Sequence, residues 1–331
     1  MKVLVVTNML AGQNPAQPSQ GIFVSEQVDA LRLLPDTQVD VMVVKGFASR
    51  FAYAGSAFRL WQRLRTSRYD VVHYHFGLTA WTAALVRAFS DTRIVVTLHG
   101  SDVLGGRLSR AISRTAARFA HACIAVSDEI RDAIRPVNPR CTTIPCGVDD
   151  SLFRPPGDEP EERQFRIVVF PSSASRPEKD YALFAEVVSI AQRQTSLPIV
   201  ERRIDGLDRV EVCRLLQSAD AMLMTSKREG SPQSVKEAMA CGLPVVSVDV
   251  GDVDRMLSGV RHCRVTDSRA PQTLAALLLE VLETRERSDG PRHLERGGYL
   301  SSQVAACVHA LYRTLVSRHD HFDKEFTHER S

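Results

Sequence analysis

Short β-branched runs alternate with helical runs along almost the whole chain, and that alternation leaves few folds open. In the first half, residues 2–7, 39–44, 70–73, 93–98, 122–126 and 142–144 read as short buried strands. Helical patterns separate them at 24–34, 56–64, 80–89, 107–120 and 128–134; the last has Ser127 as N-cap and acids in its first turn. Such an order predicts a parallel, doubly wound sheet. The stretch 154–164, RPPGDEPEERQ, breaks the pattern with proline and charge and reads as a linker. Strands are then expected at 167–170, 199–204, 221–224 and 244–248. Helices are expected at 181–192, 209–217, 271–284 and 302–317, with one more between 232 and 242. No internal repeat is visible. The expected organisation is an α/β domain over 1–153, a linker over 154–164, a second α/β domain over 165–300, and a C-terminal helix with a polar, frayed tail over 301–331.

Length and composition are consistent with this division. The 331 residues suffice for two ordinary domains, and 44% hydrophobic with 24% charged residues is a globular balance. No apolar run reaches the roughly 18 residues needed to span a bilayer. The opening MKVLVVTNML is too short for a signal peptide and reads as a first strand. The seven cysteines are scattered without a C-x-x-C pair, as expected of reduced thiols in a cytoplasm.

The net charge of +3 is unevenly spread. Between Asp40 and Asp70 there is no acid, while Lys45, Arg50, Arg59, Arg63, Arg65 and Arg68 are present, with Phe58, Leu60, Trp61 and Leu64 interleaved. Between Asp102 and Asp128 there is again no acid, and Arg107, Arg110, Arg114 and Arg118 recur at helical spacing. These runs read either as solvated helix faces or as a surface for anionic lipid or an anionic acceptor, with Arg59, Arg63 and Arg65 as the candidate contacts. No nucleic-acid motif accompanies them.

The most chemically informative stretch is TSKREGSPQSVKEAMACGLPVVSVDVGD, from Thr225 to Asp252. A Gly-Ser-Pro turn follows Glu229, and Glu237 sits about one turn inside a helix that begins near Pro232 and stops at Gly242. Both carboxylates then lie near a helix N-terminus, where phosphates are also favoured. Carboxylates accept hydrogen bonds from vicinal hydroxyls, which suits a sugar or ribose. The alternative is an amphipathic helix with two solvated acids.

This segment resembles the nucleotide-sugar site of retaining glycosyltransferases of family 4, in a branch that builds polysaccharides of the teichuronic-acid type. The resemblance runs from Lys2 to about Val250. It implies the GT-B fold, two Rossmann-like domains facing a cleft, and transfer of a sugar from a nucleoside diphosphate sugar, UDP- or GDP-linked. The implied acceptor is a polysaccharide or lipid-linked oligosaccharide. No cofactor and no metal are implied, and Asp252-Val253-Asp254 is a chance D-x-D.

The same resemblance assigns the site residues. Glu229 faces the donor sugar and Glu237 holds the ribose, with Gly230, Ser231, Pro232 and Ser234 in the connecting turn. FPSSASRPEKDYALF, from Phe170, resembles the family's diphosphate cradle, with Ser173 and Lys179 in it. The family arginine falls on Ala174, so Arg176 is expected to substitute for it. Gly21 resembles a glycine of the loop that approaches the donor phosphates. His99, in TLHGSDVLGG, matches a histidine beside the donor sugar and acceptor. His73, His75 and Asp102 are expected on the acceptor side, although either of the first two could be a packed core histidine. IPCGVDDSLFRP resembles the family's domain-junction element, with Phe153 packing where the linker begins. A location on the inner face of the plasma membrane follows if the basic surface binds lipid. The competing readings are a non-catalytic GT-B subunit that regulates a partner enzyme and a GT-B nucleotide-sugar epimerase.

Overall fold

The computed structural model describes residues 1–15, 20–49, 51–157 and 163–328, with side chains as far as residue 317. The middle of the expected linker, Arg50 and the last three residues of the tail lie outside the described residues. The chain divides into two compact units, Met1–Gly147 with Ser301–Ser331, and Val148–Leu300.

The first unit carries a parallel six-stranded sheet made of β1 (Lys2–Thr7), β2 (Gln38–Val43), β3 (Val71–His75), β4 (Arg93–Leu98), β5 (Ala122–Ala125) and β6 (Cys141–Thr143). Their order is β2-β1-β3-β4-β5-β6. Crossover helices α1 (Ile22–Arg32), α2 (Phe51–Thr66), α3 (Ala83–Phe89), α4 (Arg107–Phe119) and α5 (Asp128–Ile134) connect them. The central strands are buried on both faces, which is why they read as continuous apolar runs rather than alternating ones. One face packs Leu4, Val72, Ile94 and Val96 against the crossover helices α2–α5. The other packs Val3, Val5, Val71 and Val95 against α1 and against Val304, Val308 and Tyr312 of the last helix.

The second unit is a parallel five-stranded sheet, β7 (Arg166–Phe170), β8 (Ile199–Arg203), β9 (Ala221–Met224), β10 (Val245–Val248) and β11 (Arg264–Thr266), in the order β11-β10-β9-β7-β8. Its helices are α6 (Tyr181–Gln194), α7 (Arg209–Ser218), α8 (Gln233–Ala240), α9 (Val253–Leu257), α10 (Pro271–Thr284) and α11 (Gly290–Gly297), and the chain ends with α12 (Ser301–His328) of the first unit. Gly242 ends α8 as expected. Its φ of +66° lets its N–H reach Met239 O while Leu243 N–H reaches Ala238 O, a Schellman closure.

Two boundaries differ from the expected organisation. The units part after Gly147 because Val148 bridges to Leu300 and Phe153, 1% exposed, packs into the core of the second unit. The last helix returns to the first unit because Val304, Ala305, Val308 and Tyr312 complete the core beside α1. It also continues as helix to His328, through most of the segment expected to fray.

Candidate functional site

In the second unit the strand order reverses between β7 and β9, so the loops following those strands are neighbours at the C-terminal edge of the sheet. Open α/β sheets bind their ligands at such a switch point. The loop after β7 is the expected cradle, and the loop after β9 carries Glu229. They are tied together by backbone and side chain. Lys227 N–H donates to Glu178 O at 2.8 Å, and Thr225 Oγ1 donates to Lys179 O and Asp180 O at 3.1 and 3.0 Å. Arg269, following β11, donates to Asp180 Oδ2 and Thr225 O, each at 2.7 Å, and to Ser226 O at 3.1 Å. The result is that Lys179 Nζ meets Glu229 Oε1 at 2.5 Å, the two side chains being 11% and 13% exposed.

A third loop supports the second. Gly251, after β10, has φ +64°, and a Cβ there would lie 2.6 Å from Gly230 O and 3.1 Å from Glu229 O. Only glycine allows that approach. Next to it Asp252 is buried, with Arg255 Nη2 at 3.5 Å. Burial raises its carboxyl above the ordinary value, against the pull of Lys236, Ser231 and Arg255. Lys236 itself has no exposed surface, and its ammonium lies 5.8 Å from the centre of the Tyr299 ring.

Glu237 projects from α8 and is almost fully buried. Arg209, at the start of α7, donates from Nη1 to Glu237 Oε1 at 2.7 Å, and its guanidinium lies 4.5 Å from the centre of the Phe153 ring. Pro232 is the residue before α8, and no side chain caps the first amides of that helix. Ser231 and Ser234 lie around this start and are half-buried. Within the cradle, Ser173 Oγ bonds Ser175 Oγ at 2.8 Å. Arg176 is 55% exposed and pairs with Glu178 at 2.6 Å. The fold thus brings Lys179 and Glu229 together, gives Glu237 an arginine partner, and leaves Arg176 occupied with its own neighbour.

In the first unit the reversal falls between β1 and β3, and β3 itself with the loop after β4 holds the acceptor-side candidates. The register pairs His73 with Val95 and His75 with Thr97. His73 is fully buried, with Nδ1 2.5 Å from Tyr312 Oη and Nε2 2.6 Å from Thr97 Oγ1. Both ring nitrogens are used inside the fold, as in a packed core histidine. His75 Nδ1 lies 3.1 Å from His99 Nε2. Burial holds His75 down to about 3, and burial with the neighbouring His75 and His99 holds His73 well below 6.5.

His99 is half-exposed, and its ring lies 4.8 Å from that of Phe23 and 4.5 Å from that of Phe76. Cys146 Sγ is 3.8 Å from its Nδ1. Phe76 sits at φ +70°, a strained conformation for a bulky residue. Asp102 fixes this loop cluster: it accepts from the amides of His99 (3.0 Å), Gly100 (2.9 Å) and Gly77 (3.0 Å). Gly21, before α1, has φ +81°, and a Cβ there would meet the Met9 carbonyl carbon at 2.4 Å. Among the described residues no three His, Cys, Asp or Glu side chains converge to hold a metal ion.

The basic helices are exposed. On α2, Phe58 and Trp61 are 65% and 50% exposed, their rings 5.8 Å apart, and the Arg65 guanidinium lies 4.9 Å from the Trp61 ring. Arg59 donates to Val43 O at 3.3 Å, and Arg63 sits beside the Tyr69 hydroxyl. On α4, Arg110 and Arg114 donate to Gly105 O and Ala133 O, so these two do not stand entirely free of the fold. Among the described residues no helix is long and apolar enough to cross a membrane.

Sequence reasoning missed Arg209, Arg269 and Lys236. Arg209 was expected at the start of the 209–217 helix, and the D-x-x-E capping box at Asp208–Glu211 supports that start, but nothing local pairs it with Glu237. Nothing local marks Arg269 or the burial of Lys236.

Residues 14–152 match the model of Glycosyltransferase Family 4, and residues 188–284 match that of Glycosyl transferases group 1. The teichuronic acid biosynthesis glycosyltransferase TuaC of Bacillus subtilis is 24% identical over 280 residues, covering 75% of this chain and 71% of that protein. A glycogen synthase of Mycobacterium tuberculosis is 25% identical over 337 residues, covering 89% and 80%. Among solved structures, a sucrose-phosphate synthase from Thermosynechococcus elongatus superposes with a TM-score of 0.78 at 15% identity, covering 96% of this chain and all of the other. Anabaena HepE, solved with UDP and glucose, gives 0.71 at 15% identity, covering 95% of this chain and all of the other. These likenesses establish two Rossmann-like domains of the GT-B type.

Proposed function

The chain is a glycosyltransferase of the family 4 type, and from that premise we propose a retaining enzyme that takes its sugar from a UDP- or GDP-linked donor. The acceptor in this reading is a polysaccharide or a lipid-linked oligosaccharide. The observation that carries it is the Lys179–Glu229 pair at the β7/β9 switch point, one helix start away from the Glu237–Arg209 pair. Lys179 and the uncapped amides of α8 meet the diphosphate and stabilise it as it departs, which is the main electrostatic contribution. Glu237 holds the ribose and Glu229 the donor sugar hydroxyls. The leaving phosphate takes the acceptor proton on the face it departs from, so neither a protein nucleophile nor a metal is required. In this reading His99, whose amide donates to Asp102, and His75, bonded to His99, serve the acceptor side, with His99 beside the reacting sugar.

The name of TuaC and the UDP-glucose bound to HepE support this class of donor and acceptor. The exposed Phe58, Trp61, Arg59, Arg63 and Arg65 support a reading in which the protein docks from the cytoplasm on the anionic inner face of a plasma membrane. One observation favours a second reading, a non-catalytic subunit that regulates a partner: Arg176 pairs with Glu178, and Ala174 stands where the family has its arginine.

The deciding experiment incubates the purified protein with UDP- and GDP-sugars and follows nucleoside diphosphate release, then determines the anomeric configuration of the transferred sugar by NMR. Release with retained configuration is expected. Inverted product contradicts the mechanism, and donor binding without any release identifies the regulatory subunit.

A further inference from the structure

Glu237 is a buried carboxylate whose hydrogen-bond partner is Arg209, through the single oxygen Oε1 at 2.7 Å. The guanidinium is held in turn. It lies 4.5 Å from the centre of the Phe153 ring, and Phe153 is itself 1% exposed in the core. The backbone that carries Arg209 is fixed by the capping box one residue before it: Asp208 accepts from Glu211 N–H at 2.8 Å, and Glu211 accepts from Asp208 N–H at 2.8 Å. A guanidinium held over a ring face is restricted in the directions in which it presents its N–H groups. A buried carboxylate held at one oxygen by such a partner cannot rotate without breaking a charged hydrogen bond.

We propose that Arg209, stacked on Phe153, is the positioning residue that turns the second oxygen of Glu237 toward the ribose diol of the bound nucleotide. The inference rests on the donor-site reading above and deepens it. Arg209 does not touch the reacting atoms. It sets how strongly the site distinguishes a ribonucleotide from an analogue without ribose hydroxyls. Lysine keeps the charge but not the planar fork or the stacking, so it holds the carboxylate less firmly. Glutamine removes the charge and keeps most of the volume.

The test is titration calorimetry with three probes: UDP or GDP, whichever the wild type prefers; its 2′,3′-dideoxy analogue; and inorganic pyrophosphate. The wild type should prefer the ribonucleotide over the dideoxy analogue by about ten- to a hundredfold, the effect of losing hydrogen bonds to a charged group. In Arg209→Gln that preference should shrink to about threefold or less, with the dideoxy analogue and pyrophosphate bound within about twofold of wild type. Arg209→Lys should fall between. Unchanged pyrophosphate binding also serves as the folding control. If Arg209→Gln weakens all three probes alike, the residue is merely structural and the proposal is overturned. It is equally overturned if the ribose preference of the variant matches wild type. If the wild type binds the nucleotide without any ribose preference, the role of Glu237 falls first and this inference with it.

Discussion

Lys179 Nζ and Glu229 Oε1 lie 2.5 Å apart, joining the cradle after β7 to the loop after β9. In the proposed reading, the cation assigned to the diphosphate is thus held by the carboxylate assigned to the sugar. If both residues meet the donor as proposed, the ion pair sets their separation before a donor arrives. It also means that the two residues cannot be changed independently.

Lys179→Ala is expected to weaken both a nucleoside diphosphate and its sugar conjugate by about ten- to a hundredfold, the loss of a charge-assisted contact of roughly 1.5–3 kcal/mol. Fluorescence or calorimetric titration measures this. An affinity within twofold of wild type would remove Lys179 from the diphosphate site.

The buried histidines make the first unit acid-sensitive. His75 is held down to about 3 and His73 well below 6.5, so both are neutral in the fold, whereas the unfolded chain protonates them near 6.5. For His75 the depressed folded value gives stability that is complete above about pH 6.5 and is lost as pH falls toward about 3, by up to about 1.4 kcal/mol per pH unit, and His73 acts in the same direction. Asp102, whose carboxyl is raised by burial, acts in the opposite direction in the window above 3.8. Urea midpoints measured from pH 7.5 to 5.0 should fall, and His75→Gln should flatten the slope. A slope unchanged by that substitution would show that His75 is not the group responsible.

Turnover should persist in excess chelator, because Lys179 and the amides at the start of α8 meet the diphosphate charge. Activity that disappears with chelator and returns with magnesium or manganese would require a cation at the diphosphate instead.

Binding to vesicles should need anionic lipid and fade with salt. Three cations at about 1 kcal/mol each make Arg59, Arg63 and Arg65 worth about a hundredfold in partitioning. Sedimentation of the wild type and an Arg→Gln triple variant at low and high salt measures it. Unchanged partitioning with a raised acceptor Michaelis constant assigns the arginines to the acceptor, and no change in either leaves them as a solvated helix face.

Much of the architecture was legible because the strands are short, apolar and buried on both faces. Residues 2–7, 93–98 and 221–224 read from sequence are the strands that form. The elements missed, α9, β11 and α11, are short or carry mixed polarity, and β11 is an edge strand of intermediate burial. The domain boundary was misplaced at Phe153 because a residue's core cannot be read locally: only the fold shows Phe153 beside Arg209. Glu229, Lys179 and Glu237 were legible through a motif. The partner of Glu237 was not, since Arg209 lies 28 residues away in sequence, and neither was Arg269, which reaches Ser226, Thr225 and Asp180 from 43 residues away or more.

The central claim is that the second unit divides a nucleotide sugar between two glutamates, and calorimetric titration of Glu229→Ala and Glu237→Ala with bare nucleoside diphosphate and with its sugar conjugate tests it most directly. Glu237→Ala should weaken both ligands. Glu229→Ala should weaken the sugar conjugate while leaving the bare nucleotide bound at least as well as in wild type, because Lys179 loses its internal partner. Equal effects of the two substitutions on the bare nucleotide would contradict the account.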